Sequence, residues 1–183
     1  MAVTTPAQKD SPSFDKHWHL AENDQELNFT ELEFAIMRIS SAFDRWQTDC
    51  LACCVEGGLS GVDNTVLHII RMHDRAKSIS EVARLMNRDD ISNLQYSLRK
   101  LTKAGLIERA GSGNSKRTAA YQVTAEGTRI SGLFAQFRRE LLLTLTESIK
   151  DLDVDILTAC KVLNITSGLY DHASTVAASH RHG

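Results

Sequence analysis

The spacing of apolar residues along the chain predicts a mostly helical protein. From residue 29 to about residue 56, apolar side chains recur at alternating steps of three and four residues, which places them on one stripe of a helix. The stripe comprises Phe29, Leu32, Ile36, Ile39, Phe43, Trp46, Cys50 and Cys53. A long helix with so narrow an apolar stripe usually packs along another long helix, often in a partner subunit.

Two pairs of residues mark the starts of the next helices. Ser60 is followed by Asp63, and Ser78 by Glu81, so each pair places a hydroxyl at an N-cap and an acid three residues later. Such a pair satisfies free N–H groups at the start of a helix from both sides. We therefore expect helices that begin near residues 61 and 79.

A further helix is predicted over residues 90–104. At 100° per residue its apolar side chains fall within about 80° of one another and predict one buried stripe, made of Ile91, Leu94, Leu98 and Leu101. The opposite side carries Ser92, Asn93, Gln95, Tyr96, Arg99, Lys100 and Lys103, and no carboxylate follows Asp90 on this helix. Side chains of these types pair with base edges and phosphates.

The period changes after Gly105. Residues 106–109 and 119–123 predict two strands of a hairpin, joined by a loop over 110–118 that carries Lys116 and Arg117. Thr124 is placed to cap a long helix, and a last helix begins near Asp153. The apolar face of the long helix comprises Phe134, Phe137, Leu141, Leu145 and Ile149. Two short helices joined by a tight turn and followed by a basic hairpin indicate a helix-turn-helix.

Charge is unevenly distributed along the chain. The net charge is −2, but residues 84–117 hold eight basic and three acidic residues, so this window is +5 and the remainder is −7. One alternative is an ordinary solvated helix face, but such a face usually mixes positive and negative charges. A local basic patch on an acidic protein instead indicates a nucleic-acid partner.

Several function classes are disfavoured. No apolar run approaches the roughly 18 residues of a membrane span, and the first ten residues lack the apolar segment of a signal peptide. We expect a cytoplasmic protein with reduced cysteines and no membrane partner. Phosphate-binding glycine loops, nucleophile elbows and metalloprotease spacings are missing from the sequence, so we expect no enzyme, no catalytic residues and no cofactor.

The cysteines leave an alternative open. Cys50, Cys53 and Cys54 lie close together, and thiolates respond to oxidants and bind metal, which would make the protein a redox- or metal-responsive regulator. A buried free cysteine on an apolar stripe behaves instead as a small hydrophobe, and we favour that interpretation and predict no metal site. Trp46 and Cys50 are the candidates for contact with an effector, although an aromatic residue on such a stripe is more often core.

Residues 78–127 resemble the winged helix-turn-helix of the MarR family of bacterial transcription regulators. The matching segments are Ser78–Ala83 (SISEVA), Leu101–Arg109 (LTKAGLIER) and Thr124–Gly127 (TAEG). The long flanking helices, 29–56 and 125–175, match the architecture of the family as well.

The resemblance implies a mainly α fold with a small β-hairpin wing and long N- and C-terminal dimerisation helices. It implies a homodimer on double-stranded DNA at a roughly palindromic operator, with helix 90–104 in the major groove and wing 110–118 on the backbone or in the minor groove. Release by a small-molecule effector or an oxidant is common in the family. The expected DNA contacts in this chain are Ser92, Asn93, Gln95, Tyr96, Arg99, Lys103, Lys116 and Arg117. Ser115 departs from the family, which usually has an acid two residues before its wing arginine.

Three regions follow from this interpretation. Residues 1–28 hold both prolines of the chain and predict a flexible arm. Residues 29–175 form the DNA-binding and dimerisation domain, with the winged helix at about 60–124, and residues 176–183 form a disordered tail. The remaining rival is a winged helix that serves as a protein-interaction module without binding DNA.

Overall fold

A computed structural model describes residues 18–111 and 119–180 and shows a mainly helical chain with a small antiparallel sheet. Contacts group the chain into two units, Met1–Ser131 and Gly132–Gly183. Among the described residues, no helix is both long enough and apolar enough to cross a membrane.

The first unit contains the predicted winged helix-turn-helix. Its elements are α1 (Asp24–Ala52), α2 (Gly61–Arg71), a 3-10 turn (Met72–Asp74), β1 (Lys77–Ser78), α3 (Ile79–Leu85), α4 (Ile91–Lys103), β2 (Ile107–Ala110), β3 (Ala120–Val123) and the first part of α5 (Ala125–Phe137). The mainly α fold with a small hairpin is therefore confirmed. Its core gathers apolar side chains from α2, α3, α4 and the sheet: Val66, Leu67, Ile70, Val82, Leu94, Leu98, Leu101, Leu106, Ile107 and Tyr121.

Helix α1 begins at Asp24 rather than at residue 29. The side chain of Asn23 caps it by accepting a hydrogen bond from the backbone N–H of Glu26. Upstream of the cap, the Trp18 Nε1 donates to the Glu31 carboxylate at 3.0 Å, and its ring centroid lies 5.6 Å from that of Phe34. Residues 18–28 of the predicted flexible arm therefore hold an ordered turn and a capped helix start, while residues 1–17 lie outside the described residues.

Both predicted capping pairs occur, but only one is reciprocal. Ser60 and Asp63 bond each other's backbone N–H groups at the start of α2. The Ser78 hydroxyl accepts from the Glu81 N–H at 3.2 Å, whereas the Glu81 carboxylate forms an ion pair with Arg75. The full capping box predicted at Ser78 is therefore wrong, because a nearby guanidinium competes for the carboxylate that would close it.

The helix-turn-helix consists of α3 and α4 with a turn between them in which Asn87 is left-handed (φ 49°). Leu94, Leu98 and Leu101 are buried as predicted, but Ile91 is 38% exposed, so the predicted stripe is wrong at its first member. Ile91 is the first residue of α4, and the side chain of Ser97 is buried beside the leucines instead.

The sheet has the strand order β1-β3-β2, with both pairs antiparallel. Strands β2 and β3 form the predicted hairpin, with Ile107 opposite Val123 and Arg109 opposite Tyr121. Strand β1, which pairs Lys77 with Tyr121, was not predicted. Two residues are too few to show an alternating period.

The TAEG segment joins the hairpin to α5. The Thr124 hydroxyl donates to the Gly105 carbonyl at 2.7 Å and accepts from the Gly127 N–H at 3.0 Å, which confirms Thr124 as the cap. A Cβ atom on Gly127 would lie 1.9 Å from the carbonyl oxygen of Leu106. Only glycine therefore allows α5 to begin this close to the chain that leaves α4.

The second unit consists of the rest of α5, a π-helical segment (Arg138–Leu143), α6 (Thr144–Thr146) and α7 (Leu152–Ser179). Helix α7 follows a left-handed Asp151 (φ 59°), in agreement with the last helix predicted to begin near Asp153, whereas the π-helical segment within the predicted long helix was not expected. Phe134 of the predicted inner face of the long helix is buried, but Leu141, Leu145 and Ile149 are exposed. Helix α7 reaches Ser179, so residues 176–179 of the predicted disordered tail are helical, and residues 181–183 lie outside the described residues.

Candidate nucleic-acid interface

Helix α4 has two different sides. Its buried side consists of Leu94, Ser97, Leu98 and Leu101. The six expected DNA contacts on α4 are all exposed: Ser92, Asn93, Gln95, Tyr96, Arg99 and Lys103. The helix therefore offers a continuous surface of hydroxyl, amide and cationic groups, with its apolar side fixed in the core.

Tyr96 lies at the centre of this surface and is 58% exposed. The Arg99 Cζ and the Lys100 Nζ each lie 5.8 Å from its ring centroid. At this range the electron-rich ring face attracts a cation, which restricts the positions that the cation adopts. The phenol hydroxyl adds a group that both donates and accepts hydrogen bonds.

The acidic turn before α4 has a structural role. Asp90 is the N-cap of α4 and accepts a hydrogen bond from the Asn93 N–H at 3.1 Å. Its other carboxylate oxygen accepts from the Asn93 side-chain amide. Asn93 would have to exchange this bond to contact a base.

Lys100, which the helical spacing places beside the expected DNA contacts, is bound elsewhere. Its Nζ forms an ion pair with the carboxylate of Asp63, which is 1% exposed, and donates to the Gly58 carbonyl at 3.2 Å. Burial, the largest influence, raises the pKa of Asp63, but hydrogen bonds from Lys100, Ser60 and Ser97 outweigh it, and the net pKa is lowered. The carboxylate is therefore held ionised.

The basic surface continues beyond α4. Arg84 on α3 and Arg88 in the turn are exposed, as is Arg109 on β2. The wing residues Lys116 and Arg117 lie outside the described residues, so their contact with DNA stays a prediction.

Within the cysteine cluster Cys50 has the character of core, Cys54 is half-buried and Cys53 is exposed. Cys50 is 4% exposed, and burial, followed by the neighbouring Cys54 and Cys53, raises the pKa of its thiol to about 11. The pKa of Cys54 is also raised, mainly by burial, and its Sγ donates to the Cys50 carbonyl. Since the thiolate is the reactive and metal-binding form, these shifts oppose both alternatives. Within the described ranges no group of three or more side chains is arranged to hold a metal ion.

The two effector candidates occupy different environments on α1. Cys50 is buried and Trp46 is half-buried. Both positions suit the core role that the sequence analysis weighed against contact with an effector.

Comparison with known proteins identifies the type of domain. Residues 59–127 match the model of a winged helix DNA-binding domain family. That family is one of DNA-binding domains, not of enzymes, as the sequence led us to expect. None of the curated protein sequences matches this chain.

Solved structures of regulators share the fold. A MarR/EmrR family transcriptional regulator from Acinetobacter sp. ADP1 is 16% identical, with a TM-score of 0.60 over 76% of this chain and 97% of that chain. BldR from Sulfolobus solfataricus is 17% identical, with a TM-score of 0.61 over 75% and 95%. A mutant of MarR from E. coli complexed with operator DNA is 23% identical, with a TM-score of 0.59 over 77% and 99%.

Proposed function

We propose that this chain, which carries a winged helix DNA-binding domain within the fold of the MarR regulators, is a transcriptional regulator that binds a roughly palindromic operator as a homodimer. The observation that carries the proposal is the exposed polar and basic side of α4, held in place by a buried side made of three leucines and Ser97. A recognition helix needs both sides at once, because it must enter a groove while remaining attached to its domain.

Each group on α4 suits a different contact. Arg99 matches the two acceptors of a guanine edge, and Gln95 matches an adenine edge. Ser92 and Tyr96 offer hydroxyl groups to bases or phosphates, and Lys103 in the last turn suits a phosphate. The wing loop 110–118, with Lys116 and Arg117, would follow the backbone or enter the minor groove.

Exposed apolar side chains on the two longest helices support the homodimer. Those on α1 include Phe29, Met37, Ile39 and Phe43, and those on α7 include Val154, Leu157, Ile165 and Leu169. Extended apolar surfaces of this kind are rare on monomers and mark surfaces that another chain covers. A two-fold symmetric dimer would place two copies of α4 on two half-sites, which explains the expected palindrome.

The first experiment measures DNA binding by the full chain. A duplex selected from random sequence should bind more tightly than a mixed-sequence duplex, and the affinity for both should fall as salt is raised, because phosphate contacts release counterions. Sedimentation should show a dimer in the free protein and two protomers on each selected duplex. If no duplex binds even at low salt, the interaction-module interpretation replaces this one.

Release by a small-molecule effector is part of the proposal and rests on the family resemblance. Mass spectrometry of the purified dimer would identify a molecule that copurifies with it. Adding that molecule back should lower the affinity for the selected duplex, and an unchanged affinity would contradict release.

A further inference from the structure

The side chain of Lys100 is held on the protein rather than presented to solvent. Its neighbours along α4, Arg99 and Lys103, are exposed. The Lys100 ammonium instead contacts the Asp63 carboxylate and the Gly58 carbonyl, both at the N-terminal end of α2. These contacts join residues that are 37 and 42 positions apart in the sequence and therefore connect α4 to another element.

Asp63 is fixed by its own surroundings. The same carboxylate oxygen accepts from the Ser60 N–H at 2.8 Å and from the Ser60 hydroxyl at 2.9 Å. The backbone N–H of Asp63 donates back to the Ser60 hydroxyl. The anion that receives Lys100 is therefore part of the capping box of α2 and has little freedom to move.

The contacts of Lys100 lead to the exposed side of α4. Its ammonium and the Arg99 guanidinium both lie over the Tyr96 ring, each 5.8 Å from the ring centroid. A continuous set of contacts thus runs from buried Asp63 through Lys100 and Tyr96 to Arg99, which is the best candidate for a base contact.

We propose that Asp63 and Lys100 form a positioning pair that fixes the rotation of α4 and the placement of Tyr96 and Arg99, and that Lys100 does not contact a phosphate. The inference rests on the proposed function, since it concerns how the DNA-reading surface is held. Neither residue touches DNA in this arrangement, and both act through Tyr96 and Arg99.

The alternative is that Lys100 leaves Asp63 on binding and neutralises a phosphate. The two roles predict opposite effects of changing Asp63. A positioning pair loses its function when either partner is removed, whereas a phosphate-binding Lys100 would be released by Asp63→Asn and would bind DNA more tightly.

The test compares the full-length wild type with Lys100→Met, Asp63→Asn, the double variant and Lys103→Met. Affinity is measured for the selected duplex and for a mixed-sequence duplex over a range of salt concentrations. Lys103→Met is the matched control, because Lys103 is an exposed lysine on the same helix that is expected to bind a phosphate.

For a positioning pair, Lys100→Met and Asp63→Asn should each weaken binding of the selected duplex by about tenfold, the scale of one lost base contact. Binding of the mixed duplex and the salt slope should stay as in the wild type. The double variant should lose no more than either single variant, because both remove the same interaction. Lys103→Met should weaken binding of both duplexes and lower the salt slope by about one.

Two results would overturn the inference while leaving the proposed function intact. One is a lower salt slope in Lys100→Met, as expected for the control. The other is tighter binding by Asp63→Asn. If the wild type binds no duplex, the proposed function fails and the inference fails with it.

Weaker DNA binding by Lys100→Met could come from loss of folding or from loss of positioning, and Lys100→Arg distinguishes the two causes. The guanidinium can pair with the same carboxylate, so this variant should recover most of the affinity for the selected duplex. A variant that melts as the wild type does, yet is not rescued by arginine, would contradict positioning through the ion pair.

Discussion

Lys77 is fully buried, and its ammonium donates to the carbonyls of Ile70 and Arg75 at 3.1 and 3.2 Å and also to that of Met72. Two of these carbonyls belong to the C-terminal end of α2 and to the residue that follows it, where free carbonyls and the helix dipole favour a cation. Burial, followed by the nearby Arg75, lowers the pKa of Lys77. The ammonium thus supplies hydrogen bonds to backbone carbonyls that have no helical partner between the end of α2 and the start of β1.

Replacing Lys77 should therefore be costly. Lys77→Met removes the donor from one buried and two part-buried carbonyls, and we expect a loss of about 1–3 kcal/mol in the free energy of unfolding. Chemical denaturation measures the loss. Lys103→Met removes an exposed lysine and should change the free energy by no more than about 0.5 kcal/mol. Equal effects of the two substitutions would contradict the assigned role of Lys77.

His68 should make stability depend on pH. Burial, followed by the positive charge of Arg71, lowers the pKa of its imidazole, so the folded state favours the neutral ring. At pH values between this lowered pKa and the unfolded value of about 6.5, the unfolded chain binds more protons than the folded chain. The free energy of unfolding must therefore fall as the pH falls. We expect the free energy of unfolding to decrease from pH 7.5 to 5.5, and less steeply in His68→Gln. Parallel profiles for the two proteins would disprove the assignment.

At the scale of the element, α4 combines what the sequence predicts with what it does not. Its limits and most of its buried stripe follow from local spacing, whereas its N-cap, Asp90, is seen only in the structure. The partner of Lys100 does not follow from spacing either, because Asp63 lies far away in the sequence and only packing brings the two together. The same spacing argument failed for Ile91, since position along the helix, and not only angle around it, decides burial.

The start of α7 at Leu152 agrees with the last helix predicted to begin near Asp153, but the π-helical segment at Arg138–Leu143 escaped prediction. Neither proline nor glycine occurs between residues 133 and 167, so no helix-breaking residue marks that segment. Strand β1 escaped prediction as well, since it exists only because β3 provides a strand to pair with.

Removing the guanidinium of Arg99 tests α4 as the DNA-reading element. Arg99→Ala should weaken binding of the selected duplex by about 1–3 kcal/mol and relax the preference at one base pair. Arg129→Ala is the matched control, since Arg129 is exposed but pairs with Glu126 on α5. Fluorescence anisotropy measures both affinities, and sedimentation confirms that each variant remains a dimer. A larger loss in Arg129→Ala than in Arg99→Ala would move the interface away from α4.

The start of α5 offers a pair of matched glycines. Gly127→Ala would place a methyl group against the Leu106 carbonyl, and we expect a loss of about 2 kcal/mol or more as the helix is pushed away. Gly132→Ala lies later in α5 with open space at its Cβ, and should be neutral or stabilising by up to about 1 kcal/mol. Thermal unfolding distinguishes the two, and a stable Gly127→Ala variant would show that α5 has room to shift.

At the scale of the whole molecule, the described chain leaves much apolar surface uncovered on α1. Ile39 and Phe43 are 61% and 56% exposed, one turn apart on the stripe that the sequence predicts for helix pairing. The stripe was predictable because it repeats over many turns. The surface of another protomer that would cover this stripe could not be predicted, because the pattern within one chain does not show how two chains pack.

A charge on this stripe should prevent dimerisation. Phe43→Asp would place a carboxylate in an apolar interface, so we expect monomers in sedimentation at concentrations where the wild type is a dimer. Binding of a palindromic duplex should weaken strongly, while binding of a single half-site should not. Ser41→Asp adds the same charge at an exposed polar position of α1 and should leave the dimer intact. A dimeric Phe43→Asp protein would place the interface elsewhere.

The bonds of Thr124 to Gly105, and the close approach of Gly127 to Leu106, have a mechanical consequence. They join the start of α5 directly to Gly105 and Leu106, the residues that leave α4, although the hairpin separates the two helices along the chain. Arg71 adds a second attachment, because its guanidinium donates to the Ser131 hydroxyl at 2.7 Å. Any tilt of the start of α5 must therefore turn the C-terminal end of α4 with it, so under the proposed function the first turn of α5 sets the angle at which α4 enters a groove.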